Sequence, residues 1–170
     1  MDIKWARFGT LPDRIPTGGV CLSSFVVLKR KNAILFSKVG DVKTWTDRFA
    51  LPPKESLWRG KWLLPACHLK YGEHPDDAAR RILREMIGID RFSLSSAQMQ
   101  SHLTLGEEMP GTNHWDVCFV YSASTREKVE KQPWFQELEF LDPSKVRPSQ
   151  IGRSQTDVLK EFGIKLGPDK

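Results

Sequence analysis

Residues 63–89 read LLPACHLKYGEHPDDAARRILREMIGI: a glycine-containing loop, then a helix bearing Asp77, Arg80, Arg81, Arg84 and Glu85. A loop and charged helix in this order are the parts of a phosphate-chemistry site. Such chemistry would want two further acids on the helix, where the sequence carries Ile82 and Met86. The stretch is therefore either an active site or the mould of one.

The helix has clear limits. Pro75 suits the first helical turn, Asp76 and Asp77 complement the dipole there, and Gly88 closes the far end. On a helical wheel Ala78, Ala79, Ile82, Leu83, Met86 and Ile87 form one apolar face. Asp77, Arg80, Arg81 and Arg84 lie opposite, with Glu85 at the border. From periodicity alone this is an amphipathic helix packed on a sheet, its charges in water.

The loop adds information. Leu64-Pro65, Gly72-Glu73, Pro75, Ala78-Ala79, Arg81, Leu83, Glu85, Gly88 and Ile89 together resemble the Nudix box. The family pattern runs glycine, five residues, Glu, seven residues, Arg-Glu, an aliphatic, any residue, Glu-Glu, any residue, Gly, an aliphatic. On this chain Glu73, Arg81, Leu83, Glu85, Gly88 and Ile89 match, while Cys67, Ile82 and Met86 replace a glycine and two glutamates. The resemblance extends more loosely from about Gly19 to Phe162. It implies an α/β (α+β) fold: an α/β/α sandwich with a central mixed sheet and one main box helix.

Nudix enzymes hydrolyse a nucleoside diphosphate linked to another group. Magnesium or manganese neutralises the diphosphate and activates water, and such hard ions want carboxylate oxygens. A helix offers them at i, i+3 and i+4 on one edge. Those family positions fall on 82, 85 and 86, so Glu85 alone remains. The resemblance then offers Glu73 and the later loop acids Glu107, Glu108 and Asp116 as further donors, each otherwise an exposed loop acid. Arg81 matches the arginine that orients a catalytic glutamate; on the helix it is also placed to pair with Asp77 or Glu85.

Aromatic residues surround the long 40–60 loop. Trp45, Trp58 and Trp62 could stack on a base, since stacking needs no fixed hydrogen-bond pattern, or could simply pack. Trp58, followed by Arg59-Gly60, is the one expected at the surface. His114 is either a proton shuttle or a surface histidine at a strand's edge.

The elements that must position these residues follow from pattern. Residues 1–18 form an irregular lead-in, 19–163 a single domain and 164–170 a tail. Val20–Leu28 and Ala33–Val39 read as strands around a turn at 29–32. Lys61–Pro65 reads as a short strand ending at a proline, and CHLKYGE as loop. Met99–Leu105, Trp115–Ala123 and WFQELEFLDP read as strands, and 152–163 as a terminal helix. The order of strands, central helix, strands and helix argues a mixed sheet.

Composition bounds the rest. The net charge of +5, with six tryptophans, fits a mildly basic globular domain or one with an anionic partner. Cys21, Cys67 and Cys118 form no paired framework or zinc spacing. No signal-peptide core or membrane-length apolar run is present, so a soluble, cytoplasmic protein is expected. Two readings of function follow. One is a Nudix-fold protein binding a nucleoside-diphosphate-type ligand or RNA, with weak or absent hydrolysis. The other is a divergent hydrolase of nucleoside diphosphate derivatives or nucleotide sugars, holding magnesium or manganese through Glu73, Glu85 and a later acid. A homodimer or larger assembly is compatible with either.

Overall fold

The computed structural model describes residues 20–40, 59–104, 114–152 and 155–169. Its centre is a seven-stranded mixed sheet. β1 (Val20–Arg30) and β2 (Ala33–Val39) form an antiparallel hairpin whose turn is tighter than expected, with Lys31 in the left-handed region at φ 53°. β1 also pairs in parallel with β6 (His114–Ser124), from Val20 against Trp115 to Lys29 against Ser124. The outer side of β6 carries β4 (Ser93–Leu94) and β5 (Gln98–Thr104), both antiparallel. On the other side β2 carries β7 (Phe135–Leu141), and β1 carries the short β3 (Ala66–His68).

Alternation along the strands sends neighbouring residues to opposite faces. Val26 and Leu28 join one buried cluster with Leu35, Tyr121 and the box helix residues Ala78, Ala79, Ile82, Leu83, Met86 and Ile87. Val27, Ile34, Phe36, Cys118 and Val120 join a second cluster with Val158 and Leu159 of α2 (Gln155–Glu161). A helix thus covers each face, giving the expected α/β/α sandwich. Ile164 and Leu166, expected in a tail, pack against the second cluster, and the Gly167 amide donates to the Pro143 and Val146 carbonyls.

Two local expectations change. Trp62 and Leu63 of KWLLP make only single bridges, to Ile151 and Ser37. The paired strand starts later, at Ala66, inside the stretch read as loop. Both faces of this segment are buried, so its apolar run gives no sign of where pairing begins.

Candidate functional site

The box begins on β3, where Cys67 lies opposite Ser24. Among the described residues Lys31 alone has positive φ without being glycine, so Cys67 needs no backbone freedom that only glycine supplies. The thiol is buried, and burial is the main reason its pKa is pushed up to about 11. At pH 8 only about one thiol in a thousand is then ionised. Iodoacetamide at that pH is expected to label the half-buried Cys21 and leave Cys67 unmodified until the protein is denatured. Mass spectrometry of labelled peptides reads this directly; equal rates at the two thiols would show the pocket to be open.

After β3 the chain turns through Gly72 and enters α1 (Pro75–Arg81). His74 caps it, its Nδ1 accepting from the Asp76 amide at 3.2 Å. The helix continues as a π-helical turn over Ile82–Ile87 and stops at Gly88. Gly88 sits at φ 82°, and a Cβ there would come within 2.6 Å of Gln132 Nε2, so both conformation and space require glycine. Widened turns of this kind recur at functional sites.

Loop and helix are locked by one ion pair. Arg81 Nε and one terminal nitrogen donate to the two Glu73 oxygens, each at 2.8 Å, and both side chains are 12% exposed. The same arginine nitrogen donates to the His68 carbonyl at 3.0 Å. Glu73 also accepts from the Lys70 amide at 2.8 Å. These bonds, Arg81's above all, hold the Glu73 pKa below the usual carboxylate range, and Glu73 in turn raises that of Arg81. The partner of Arg81 is thus Glu73 in the loop, rather than Asp77 or Glu85 on the helix.

The helix is anchored at both ends by residues that the sequence pattern did not single out. Tyr121 Oη of β6 donates to Asp76 Oδ1 at 2.6 Å, and Ser24 Oγ of β1 donates to the Pro75 carbonyl at 3.0 Å. Burial and this contact push the tyrosine pKa well above its ordinary value. Trp134 Nε1 donates to the Met86 carbonyl at 3.1 Å, closing the C-terminal end.

The edge expected to hold metal is apolar and inaccessible. Ile82 is 0% and Met86 1% exposed, both inside the first cluster. Glu85 is exposed and contributes to the field on Arg81. Asp116 stands opposite Cys21 on β1 and His102 on β5. Alternation puts it on the sheet face of Cys118 and Val120, away from the box helix. Trp62 is 8% exposed and packs in the second cluster, with Lys38 Nζ 4.3 Å from its ring centroid. His114 opens β6, paired with Thr104. Trp45, Trp58, Glu107 and Glu108 lie outside the described residues.

Nudix enzymes typically use a divalent metal, and the described donors do not fit one. Among the described residues no group of three His, Cys, Asp or Glu side chains converges to hold an ion. Glu73 spends both oxygens on Arg81 and Lys70, and the neighbours of Glu85 at 82 and 86 are hydrocarbon.

A family model described as the NUDIX domain matches residues 33–162. The chain belongs to the Nudix family. Solved Nudix structures agree in fold at low identity. The MutT NUDIX hydrolase from Burkholderia pseudomallei superposes with a TM-score of 0.56 at 15% identity, covering 83% of this chain and 96% of that one. The E. coli dihydroneopterin triphosphate pyrophosphohydrolase gives 0.53 at 16%, covering 83% and 93%. The C. elegans Ap4A hydrolase gives 0.51 at 16%, covering 85% and 96%. No curated protein sequence matches. At these identities the likeness is one of Nudix architecture, and chemistry has to be argued from the Nudix box itself. Among the described residues no helix is long and apolar enough to cross a membrane.

Proposed function

We propose that this Nudix domain binds a nucleoside-diphosphate-type ligand and hydrolyses it weakly or not at all. The observation that carries the reading is the burial of Ile82 and Met86 at two of the three helix positions where the family places glutamates. A carboxylate-poor, hydrocarbon edge strips water from a divalent ion without replacing it, which is unfavourable. The loop–helix frame is kept meanwhile by Glu73, Arg81 and Gly88. Retaining the frame without the ion donors supports recognition over turnover, and the +5 net charge favours an anionic ligand.

The test titrates magnesium and manganese into wild type and Glu85→Gln by calorimetry, with diphosphate release measured on nucleoside diphosphate compounds. The expected result is no Glu85-dependent metal binding, no turnover, and nucleotide binding that persists in chelator. Tight metal binding and turnover, both lost in Glu85→Gln, would overturn the reading in favour of a hydrolase completed by Glu73 and Glu107 or Glu108. RNA affinity that falls with salt, with no nucleotide affinity, would replace the small ligand by a polymer.

A further inference from the structure

The two outer edges of the sheet are built differently. β7 pairs only with β2 among the described strands and carries Glu137 and Glu139. β5 pairs only with β6, and its seven residues, QMQSHLT, contain no Lys, Arg, Asp, Glu or Pro. Strands that stay solitary are ordinarily guarded by charge, proline or a bulge, because alternate residues present unpaired backbone N–H and C=O groups. β7 has such a guard. β5 has none, and its register with β6 runs unbroken from Gln98 to Thr104.

The side chains of β5 reinforce this contrast. Met99 is 70% and Leu103 58% exposed, on one face of the strand. Trp115 stands directly opposite Leu103, its Nε1 donating to Ser101 Oγ at 2.8 Å, and is itself partly exposed. On the other face the strand is fixed to α2: Gln100 Nε2 donates to the Val158 carbonyl and Gln98 Nε2 to that of Glu161. The edge is therefore held in place, neutral and apolar on its outer face.

We propose that β5 joins two copies of this chain, paired antiparallel about a twofold axis at Ser101, so that two sheets become one. That axis sets Met99 against Leu103 of the second copy, and Leu103 against Met99 of the second copy. On the opposite face it sets Gln100 against His102 of the second copy. Copies carrying +5 each repel over most of their surfaces, but at this line neither presents a charged side chain. Main-chain pairing supplies the attraction, and burial of the methionine–leucine pairs adds to it. The inference is independent of what the box binds.

Sedimentation equilibrium of the full chain over a concentration series tests it, with two variants. M99K/L103K opposes like charges at both symmetry-related positions and is expected to weaken association at least about tenfold. M99E/L103K opposes unlike charges at the same positions and is expected to restore association that now weakens with salt. Both side chains are exposed, so thermal unfolding of each variant serves as a check that the monomer is intact. Undiminished association of M99K/L103K, or failure of M99E/L103K to recover it, overturns the pairing. A wild-type chain that stays monomeric leaves the edge to an extended segment of another protein and overturns it as well.

Discussion

Replacing Arg81 by alanine is expected to lower stability by about 3 kcal/mol, the low end of what a buried, hydrogen-bonded pair costs when one partner is lost. The change leaves Glu73 enclosed with only the Lys70 amide to bond, and it releases the His68 carbonyl. It also unties the loop from the helix, since Arg81 is the link between them. For a chain of this length the midpoint of thermal unfolding should fall roughly 6–12 °C. Arg81→Lys keeps the charge but forfeits the two-pronged fit, so an intermediate loss is expected. The pH dependence has a definite sign. The folded pKa of Glu73 lies below its ordinary value. Its contribution is present above the ordinary carboxylate range and is lost as pH falls through the depressed folded value. Urea unfolding across that acid range should show the loss in wild type and a flatter limb in Arg81→Ala. An Arg81→Ala protein as stable as wild type would mean that the loop is held by something other than this pair.

Returning glutamates to the helix is expected to unfold the protein rather than restore a metal centre. Ile82 and Met86 are both fully enclosed, among Val26, Leu28, Leu35 and Tyr121. A carboxylate at either position enters hydrocarbon with no donor to meet it and costs about 4 kcal/mol or more. The double variant I82E/M86E therefore exceeds the margin of a typical domain, about 5–15 kcal/mol. Circular dichroism should show lost cooperativity, and calorimetry no gain in magnesium binding. Ile82→Val, which keeps the position apolar, should cost only about 1 kcal/mol. A folded double variant that binds magnesium would show that the helix can rotate this edge toward solvent, and the scaffold reading would fail.

The box helix was legible because its signals are local. Pro75 and Gly88 mark its ends, and its apolar face reads directly from spacing. Strand identity in β1, β2 and β6 followed from β-branched and aromatic runs, with bounds off by one or two residues. What stayed hidden depends on residues far apart in the chain. The partner of Arg81 sits in the preceding loop, and whether an arginine turns back to it or along its helix depends on how the loop packs. Tyr121 and Trp134 reach the helix ends only because β6 and β7 lie where they do. Trp62 stands beside the long loop in sequence, yet the second cluster takes it in. The π-helical turn has no marker in residue type at all, since Ile, Leu, Arg, Glu and Met serve equally well in an ordinary helix.

The long parallel zipper between β1 and β6 has a consequence for synthesis. A chain leaving the ribosome presents β1, β3 and the box helix well before residues 114–124 appear. Until then the helix lacks Tyr121 at one end and Trp134 at the other, and it is too short to persist alone in water. Its apolar face, Ile82, Leu83, Met86 and Ile87, is then without the β6 side of its cover. The box is the earliest part of the molecule to be made and among the last to be secured. A nascent chain stalled before residue 114 should accordingly be captured by chaperones that bind apolar segments, and released once β6 has zipped into place.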